Sequence, residues 1–67
     1  MQETEFLTTR EASAFLRVSK PTLERWRMEG RGPRYVKIGH RVFYPRAELD
    51  GFLREQLVET RPVKRQA

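Results

Sequence analysis

Residues 8–26, TTREASAFLRVSKPTLERW, contain two helix starts in close succession. Thr8 and Glu11 have the T-x-x-E spacing of a capping box, in which each side chain accepts a hydrogen bond from a backbone N–H at the start of a helix. Ser19 offers a second N-cap, and Pro21 fits the turn after it because N–H groups there lack intrahelical partners. The stretch predicts two short helices joined by a tight turn.

Apolar spacing and glycine set the bounds of these helices. The first helix begins at Thr9 and must end near Arg17, because the second cap follows after a turn of about three residues. On the second helix, Leu23 and Trp26 lie three residues apart and are expected to face the core. Gly30 is a natural left-handed terminator for that helix.

Residues 34–44 alternate in polarity, which predicts a β-hairpin. A two-residue loop would place Arg41 opposite Ile38, whereas a three-residue loop at residues 39–41 places Val42 there. We expect the three-residue loop, because it gathers the apolar side chains on one face. That register buries Val36, Ile38, Val42 and Tyr44, and it leaves Lys37, His40, Arg41 and Phe43 outside.

A third helix is predicted from about Arg46 to Val58, after Pro45 ends the hairpin. Its apolar residues share one stripe and are Leu49, Phe52, Leu53 and Leu57. The chain is therefore expected to be mainly α with a small β-hairpin, in the order α-α-β-β-α. We expect a single domain over residues 1–58 and a disordered basic tail over residues 59–67.

Size and composition narrow the class of protein. A chain of 67 residues forms one domain with a small core, which is too small to enclose a catalytic cleft. We therefore expect that the protein is not an enzyme and has no small-molecule substrate. It has no cysteine and one histidine, which leaves too few ligands for a metal site, and no cofactor is expected. Without a membrane-length apolar run or a basic, apolar amino terminus, the protein is expected in the cytoplasm.

The charge is strongly polarised along the chain. Residues 17–46 contain nine Lys or Arg and two acids, a net charge of +7, although the whole chain carries only +5. Residues 61–67 add +3, and the remainder is net acidic. Positive charge concentrated around the second helix and the hairpin indicates a surface for nucleic acid phosphates.

Residues 7–53 resemble the excisionase family of small winged-helix DNA-binding domains, related to the amino-terminal domains of MerR regulators. The resemblance rests on four segments: VSKPTLERW at residues 18–26, the Gly30-x-x-Pro33 pattern that ends the second helix, VKIGHR at residues 36–41 and RAELDGFL at residues 46–53. It implies a winged helix-turn-helix. The second helix would enter the major groove, and the hairpin would be a wing along the backbone or in the adjacent minor groove.

Two positions depart from the family pattern. Arg17 stands where the family usually has glycine, so either Arg17 adopts a strained left-handed conformation or the turn is built differently. Pro21 stands where relatives place a polar residue that reaches a base edge, and proline can offer only apolar contact, for instance to a thymine methyl group.

The resemblance places a base-reading arginine at Arg25, although pairing with Glu24, Glu29 or a solvent anion is the alternative. Glu24 could accept a hydrogen bond from cytosine N4, repel the phosphates of non-cognate DNA, or simply offset the positive charge of Arg25. Trp26 is expected in the core rather than stacked on a base. The candidate recognition-helix contacts are Ser19, Lys20, Pro21, Thr22, Glu24, Arg25 and Met28. The candidate wing contacts are Lys37, His40 and Arg41, against the alternative of a solvated hairpin tip.

The resemblance implies an architectural protein that binds tandem sites in double-stranded DNA, bends the duplex and directs an integrase toward excision. We expect self-association on DNA, with Phe43 and the basic tail as candidate contacts between neighbouring copies. A small phage transcriptional regulator with the same domain is the first alternative. A module that binds an acidic protein partner is the second.

Overall fold

The computed structural model describes residues 5–58, which form three helices and a three-stranded antiparallel sheet. Their order is β1 (Phe6–Thr8), α1 (Thr9–Leu16), α2 (Lys20–Met28), β2 (Val36–Ile38), β3 (Arg41–Pro45) and α3 (Arg46–Gln56). The winged helix-turn-helix order α-α-β-β-α is confirmed. Strand β1 was not predicted, and α3 ends two residues earlier than expected. The basic tail at residues 59–67 lies outside the described residues.

Both predicted helix starts are confirmed. The Thr8 side chain accepts from the Glu11 N–H at 3.1 Å, and the Glu11 carboxylate accepts from the Thr8 N–H at 2.9 Å, which completes the capping box. Ser19 caps α2 by accepting from the Thr22 N–H at 3.2 Å. Local side chain to backbone bonds therefore fix where each helix begins.

The turn between α1 and α2 resolves the question posed by Arg17. Its backbone is left-handed, with φ 61° and ψ 39°. The Arg17 N–H donates to the Ala14 carbonyl at 3.2 Å, and the Val18 N–H donates to the Ser13 carbonyl at 3.0 Å. This pair of bonds is a Schellman motif, so an arginine occupies the position where glycine is usual. Helix α2 ends the same way at Gly30, whose φ is 74°.

The predicted hairpin register is wrong. Val36 pairs with Phe43 and Ile38 with Arg41, so the loop is the two-residue turn Gly39-His40. Gly39 has φ 64° and His40 is not among the residues with positive φ, which fits a type II′ turn with glycine at its first central position. A three-residue loop instead needs its left-handed residue last, at Arg41.

The corrected register divides the apolar residues between two faces of the sheet. Val42 and Tyr44 face the core, together with Leu7 of β1, which pairs with Tyr44. Val36 and Ile38, expected in the core, lie on the outer face with Phe43, and Ile38 is 59% exposed. Tyr35 lies beside Tyr44 at the edge of the core, with their rings 6.0 Å apart, and is 42% exposed.

The core sits where the helices meet the sheet. Its buried members are Leu7, Ala12, Leu23, Tyr44 and Leu49, and its partly buried neighbours are Phe15, Leu16, Val18, Trp26 and Val42. The predicted stripe of α3 holds only in its first half. Leu49 is buried and Phe52 half-buried, but Leu53 is 40% and Leu57 77% exposed, because the end of α3 runs past this small core.

Candidate nucleic-acid interface

An open cleft of about 420 Å³ lies between the amino-terminal end of α2 and the β2–β3 hairpin, here called the wing. Four Lys or Arg residues and one acid line it, with contributions from α1, α2 and β3. We call it the cationic cleft. Its lining residues are Thr8, Thr9, Arg10, Lys20, Glu24, Arg27, His40, Arg41, Val42 and Phe43. The excess of positive groups attracts an anionic backbone.

The amino-terminal turn of α2 combines a cap with exposed polar groups. The Ser19 hydroxyl donates to the Thr22 hydroxyl oxygen at 2.8 Å while accepting from the Thr22 N–H. Lys20 and Pro21 are exposed, and Thr22 is half-buried beneath the cap. The predicted capping role of Ser19 is confirmed, and a helix amino terminus also favours phosphate oxygens.

The charged residues of α2 form weak ion pairs on its exposed side. Lys20 Nζ lies 3.9 Å from Glu24 Oε2, and Arg25 Nε lies 3.9 Å from Glu29 Oε2, with each side chain about half exposed. Exposed pairs of this kind contribute roughly 0.2–1 kcal/mol and are screened by salt. A phosphate or base can therefore replace either acid at little cost.

The side of α2 away from the core also presents an apolar residue. Met28 is 87% exposed at the end of the helix. Trp26 instead packs partly buried against the core, 5.9 Å from the Phe52 ring, so the expectation that it belongs to the core is confirmed. The Arg31 guanidinium covers its ring at 5.7 Å. These contacts account for the position of Trp26 without a role in stacking on a base.

Only part of the predicted wing set reaches the cationic cleft. His40, at the turn, and Arg41, at the start of β3, line it. The Arg41 guanidinium also lies over the Phe43 ring at 5.2 Å, which holds this long side chain at the wing surface. Lys37 is exposed on β2 opposite Val42 and is not among the lining residues of the cleft.

The sequence reasoning missed two basic residues of the cleft, Arg10 and Arg27. Arg10 was counted with the acidic remainder of the chain, yet it lies in the first turn of α1 and lines the cleft beside Lys20. The capping box could have indicated Arg10, because it places this residue in the first turn of α1, the helix that precedes the turn at residues 17–19. Arg27 donates from Nη1 to the Tyr44 hydroxyl at 2.9 Å, a contact across 17 positions that no local pattern indicates.

A second groove, of about 480 Å³, has a different charge. It lies between the loop after α2 and the outer side of α3, where Glu48 and Glu55 accompany Arg34. Its other lining residues are Gly32, Pro33, Gly51 and Phe52. Acidic groups thus gather along α3, while the cationic cleft collects basic groups from α1, α2 and the wing. This separation agrees with the polarised charge of the sequence.

The sequence matches the family described as "Helix-turn-helix domain" over residues 6–57, most of the chain. The chain belongs to this family. No curated protein gives a significant match. The helix-turn-helix is a DNA-binding domain, so the match supports double-stranded DNA as the partner and a binding role rather than an enzymatic one.

In this helix-turn-helix domain, α1 and α2 are joined by the turn at residues 17–19, and α2 holds the place of the recognition helix. None of the helices within residues 5–58 has both the length and the apolar character needed to cross a bilayer. Across the same residues, no three His, Cys, Asp or Glu side chains group closely enough to hold a metal ion.

Proposed function

We propose that this protein is an excisionase: it binds tandem sites in double-stranded DNA cooperatively, bends the duplex and directs an integrase toward excision. The observation that carries the proposal is the cationic cleft, which joins the amino-terminal end of the recognition helix α2 to the wing. One continuous positive surface can follow a DNA backbone from the major groove into the adjacent minor groove. The resemblance of residues 7–53 to excisionases supports the finer assignment.

In this proposal, α2 enters the major groove and reads sequence. Arg25 donates to a guanine, since bidentate contact with O6 and N7 is the commonest specific arginine role. Its weak pair with Glu29 leaves the guanidinium available. Ser19, Lys20 and Thr22 contact phosphates, Pro21 and Met28 supply apolar contacts, and Glu24 disfavours wrong sites.

The wing anchors the complex without reading sequence. Arg41 and His40 extend from the tip toward a phosphate or the floor of the minor groove, whose negative potential attracts cations. Lys37 adds charge from β2. The close approach is possible because the tip is a two-residue turn with glycine at its first position.

Adjacent copies contact one another on DNA. A single module of this kind buries only about 600–1,000 Å², so one copy binds weakly and several must act together. The outer face of the sheet supports such contacts, because Phe43 lies there with its ring 6.3 Å from that of Phe6, which is 49% exposed. Ile38 extends this apolar face.

The decisive experiment begins by selecting binding sites from a random-sequence duplex pool with the whole protein. Gel-shift titration on one, two and three copies of the selected site should show cooperative filling, and circular-permutation assays should show a bend that grows with copy number when sites are about one helical turn apart. Independent filling of unbent sites would instead favour the small phage transcriptional regulator, which uses the same domain.

Salt dependence tests whether DNA is the partner of the cationic surface. If about five phosphates are neutralised, log affinity should fall with log salt at a slope of about −4 to −5. Charge reversal Arg41→Glu should weaken binding strongly, whereas Glu55→Lys, on α3 away from the cleft, should change affinity far less. A slope near zero would favour a module that binds an acidic protein.

A further inference from the structure

Arg27 occupies a position unlike that of Arg25, the other arginine of α2. It lies one helical turn after the buried Leu23, so it shares the inward face of the helix and is itself half-buried. Its Nη1 donates to the Tyr44 hydroxyl at 2.9 Å, and its guanidinium carbon lies 5.6 Å from the centroid of the Tyr35 ring. The two tyrosine rings are 6.0 Å apart.

Both tyrosines belong to the base of the wing. Tyr44 lies on the central strand β3 and is 1% exposed, so its hydroxyl depends on Arg27 for a partner. Tyr35 immediately precedes β2. Among residues 5–58, no other side-chain hydrogen bond joins α2 to a strand.

We infer that Arg27 is a positioning residue: its bond to Tyr44 and its contact with Tyr35 fix the wing relative to the recognition helix. The inference rests on the proposed roles of α2 and the wing in DNA binding. Although Arg27 lines the cationic cleft, its guanidinium serves the two tyrosines and not a phosphate. A planar guanidinium suits this task, since it can donate in its plane while stacking on an aromatic face.

The first test uses the free protein and amide hydrogen exchange measured by NMR. Tyr44→Phe keeps the buried ring and removes only the acceptor for Arg27. Exchange at the wing amides of residues 36–42 should become faster by about fivefold or more, with α1 amides unchanged, because local openings are independent of global unfolding. Tyr35→Phe is the matched control, since it also removes one hydroxyl but keeps the ring beneath Arg27, and it should leave wing exchange as in the wild type.

Equal acceleration in the wing and in α1 would mean that the bond serves only global stability. Unchanged wing exchange would mean that packing alone holds the wing. Either result overturns the inference, and neither depends on DNA. The exchange data therefore decide the positioning role even if no duplex is selected, an outcome that would defeat the proposed function.

The second test uses the selected duplex at a temperature where every variant is fully folded. In the wild type, Arg41→Ala should weaken binding about tenfold; in the Tyr44→Phe background the loss should fall to about threefold or less, because coupled groups are not additive. The loss caused by Arg25→Ala should be equal in both backgrounds. An undiminished loss for Arg41→Ala would show that the wing does not depend on this bond.

The third test separates positioning from phosphate contact. Arg27→Met should reproduce the affinity loss of Tyr44→Phe, and the double variant should be no weaker than either single one. The salt slope of Arg27→Met should equal that of Tyr44→Phe, because both variants free the wing but only Arg27→Met removes a charge. A slope shallower by about 0.9 for Arg27→Met than for Tyr44→Phe would make Arg27 a phosphate ligand and overturn the assignment.

Discussion

The conformation of the helix-turn-helix unit is set by local interactions and that of the wing by tertiary ones, although the two regions are adjacent in the chain and meet at one cleft. In the unit, residues next to each boundary decide it: Thr8 and Ser19 start helices, and Gly30 ends one. In the wing, register depends on the turn and on which sheet face the rest of the fold covers. Local capping chemistry is therefore a more reliable guide than polarity alternation when both faces of a strand carry apolar residues.

The largest expected contrast between the regions is in core truncation. Leu23→Ala removes a fully buried side chain of α2 and should cost about 2–5 kcal/mol of unfolding free energy, most of the stability of so small a domain. Ile38→Ala in the wing should change stability by no more than about 0.5 kcal/mol, because the side chain is 59% exposed. Urea denaturation followed by circular dichroism measures both.

This pair also tests the hairpin register. The three-residue loop would bury Ile38 with Val42, so a loss of about 2 kcal/mol or more for Ile38→Ala would contradict the two-residue turn. Val42→Ala is the matched control, since Val42 packs against the core in the observed register and should cost more than Ile38→Ala.

The next effect is the cap of the recognition helix. Ser19→Ala removes the acceptor for the Thr22 N–H and should destabilise the protein by about 1 kcal/mol. Thr22→Ala is the control, because it removes the hydroxyl bonded to Ser19 but leaves the capping bond intact. Thermal unfolding should rank the two losses in that order, and equal losses would assign the effect to the hydroxyl pair.

Two left-handed residues allow a closer comparison of the regions. Gly39 in the wing and Arg17 in the helix-turn-helix unit have φ of 64° and 61°. Gly39→Ala should cost about 1 kcal/mol, because a Cβ is strained in this conformation whatever the surrounding space. Calorimetry should show a lower Tm for Gly39→Ala, and an unchanged Tm would argue against the positive φ of Gly39.

Arg17→Gly should have the smallest effect and the opposite sign. Glycine relieves the left-handed strain but adds freedom to the unfolded chain, so we expect a net gain of about 0.5 kcal/mol. Arg17→Ala is the control and should not stabilise the protein, because it keeps a Cβ. Destabilisation by glycine would show that the Arg17 side chain contributes contacts that outweigh the backbone strain.

Sequence reasoning succeeded where a few neighbouring residues decide the outcome. The caps, the left-handed end of α2 and the core positions of Leu23 and Trp26 follow from spacing alone. Strand β1 could not be inferred in the same way, because a three-residue segment becomes a strand only by pairing with β3, far along the chain. The Gly39-His40 pair does indicate a two-residue turn, because glycine suits its first position. The prediction instead preferred the register that gathers the most apolar side chains on one face.

The candidate site shows the same division. Charge counting located the basic region, but it could not separate Arg27, which bonds to Tyr44, from Arg25, which remains on the exposed side of α2. It also grouped Arg10 with the acidic remainder of the chain, although Arg10 lines the cationic cleft. Which cations share a cleft depends on how α1, α2 and the wing pack together, and composition does not contain that information.

In the proposed function, α2 reads the DNA sequence and the wing anchors the complex, so substitutions in the two regions should differ in how strongly their effects depend on the duplex sequence. Affinities of Arg25→Ala and Arg41→Ala are compared with the wild type on the selected duplex and on a scrambled duplex of equal composition, at one salt concentration. Arg25→Ala should lose about 1–3 kcal/mol on the selected duplex and much less on the scrambled one, and Arg41→Ala should lose similar amounts on both. Equal losses for Arg25→Ala on the two duplexes would contradict the claim and make Arg25 a phosphate contact.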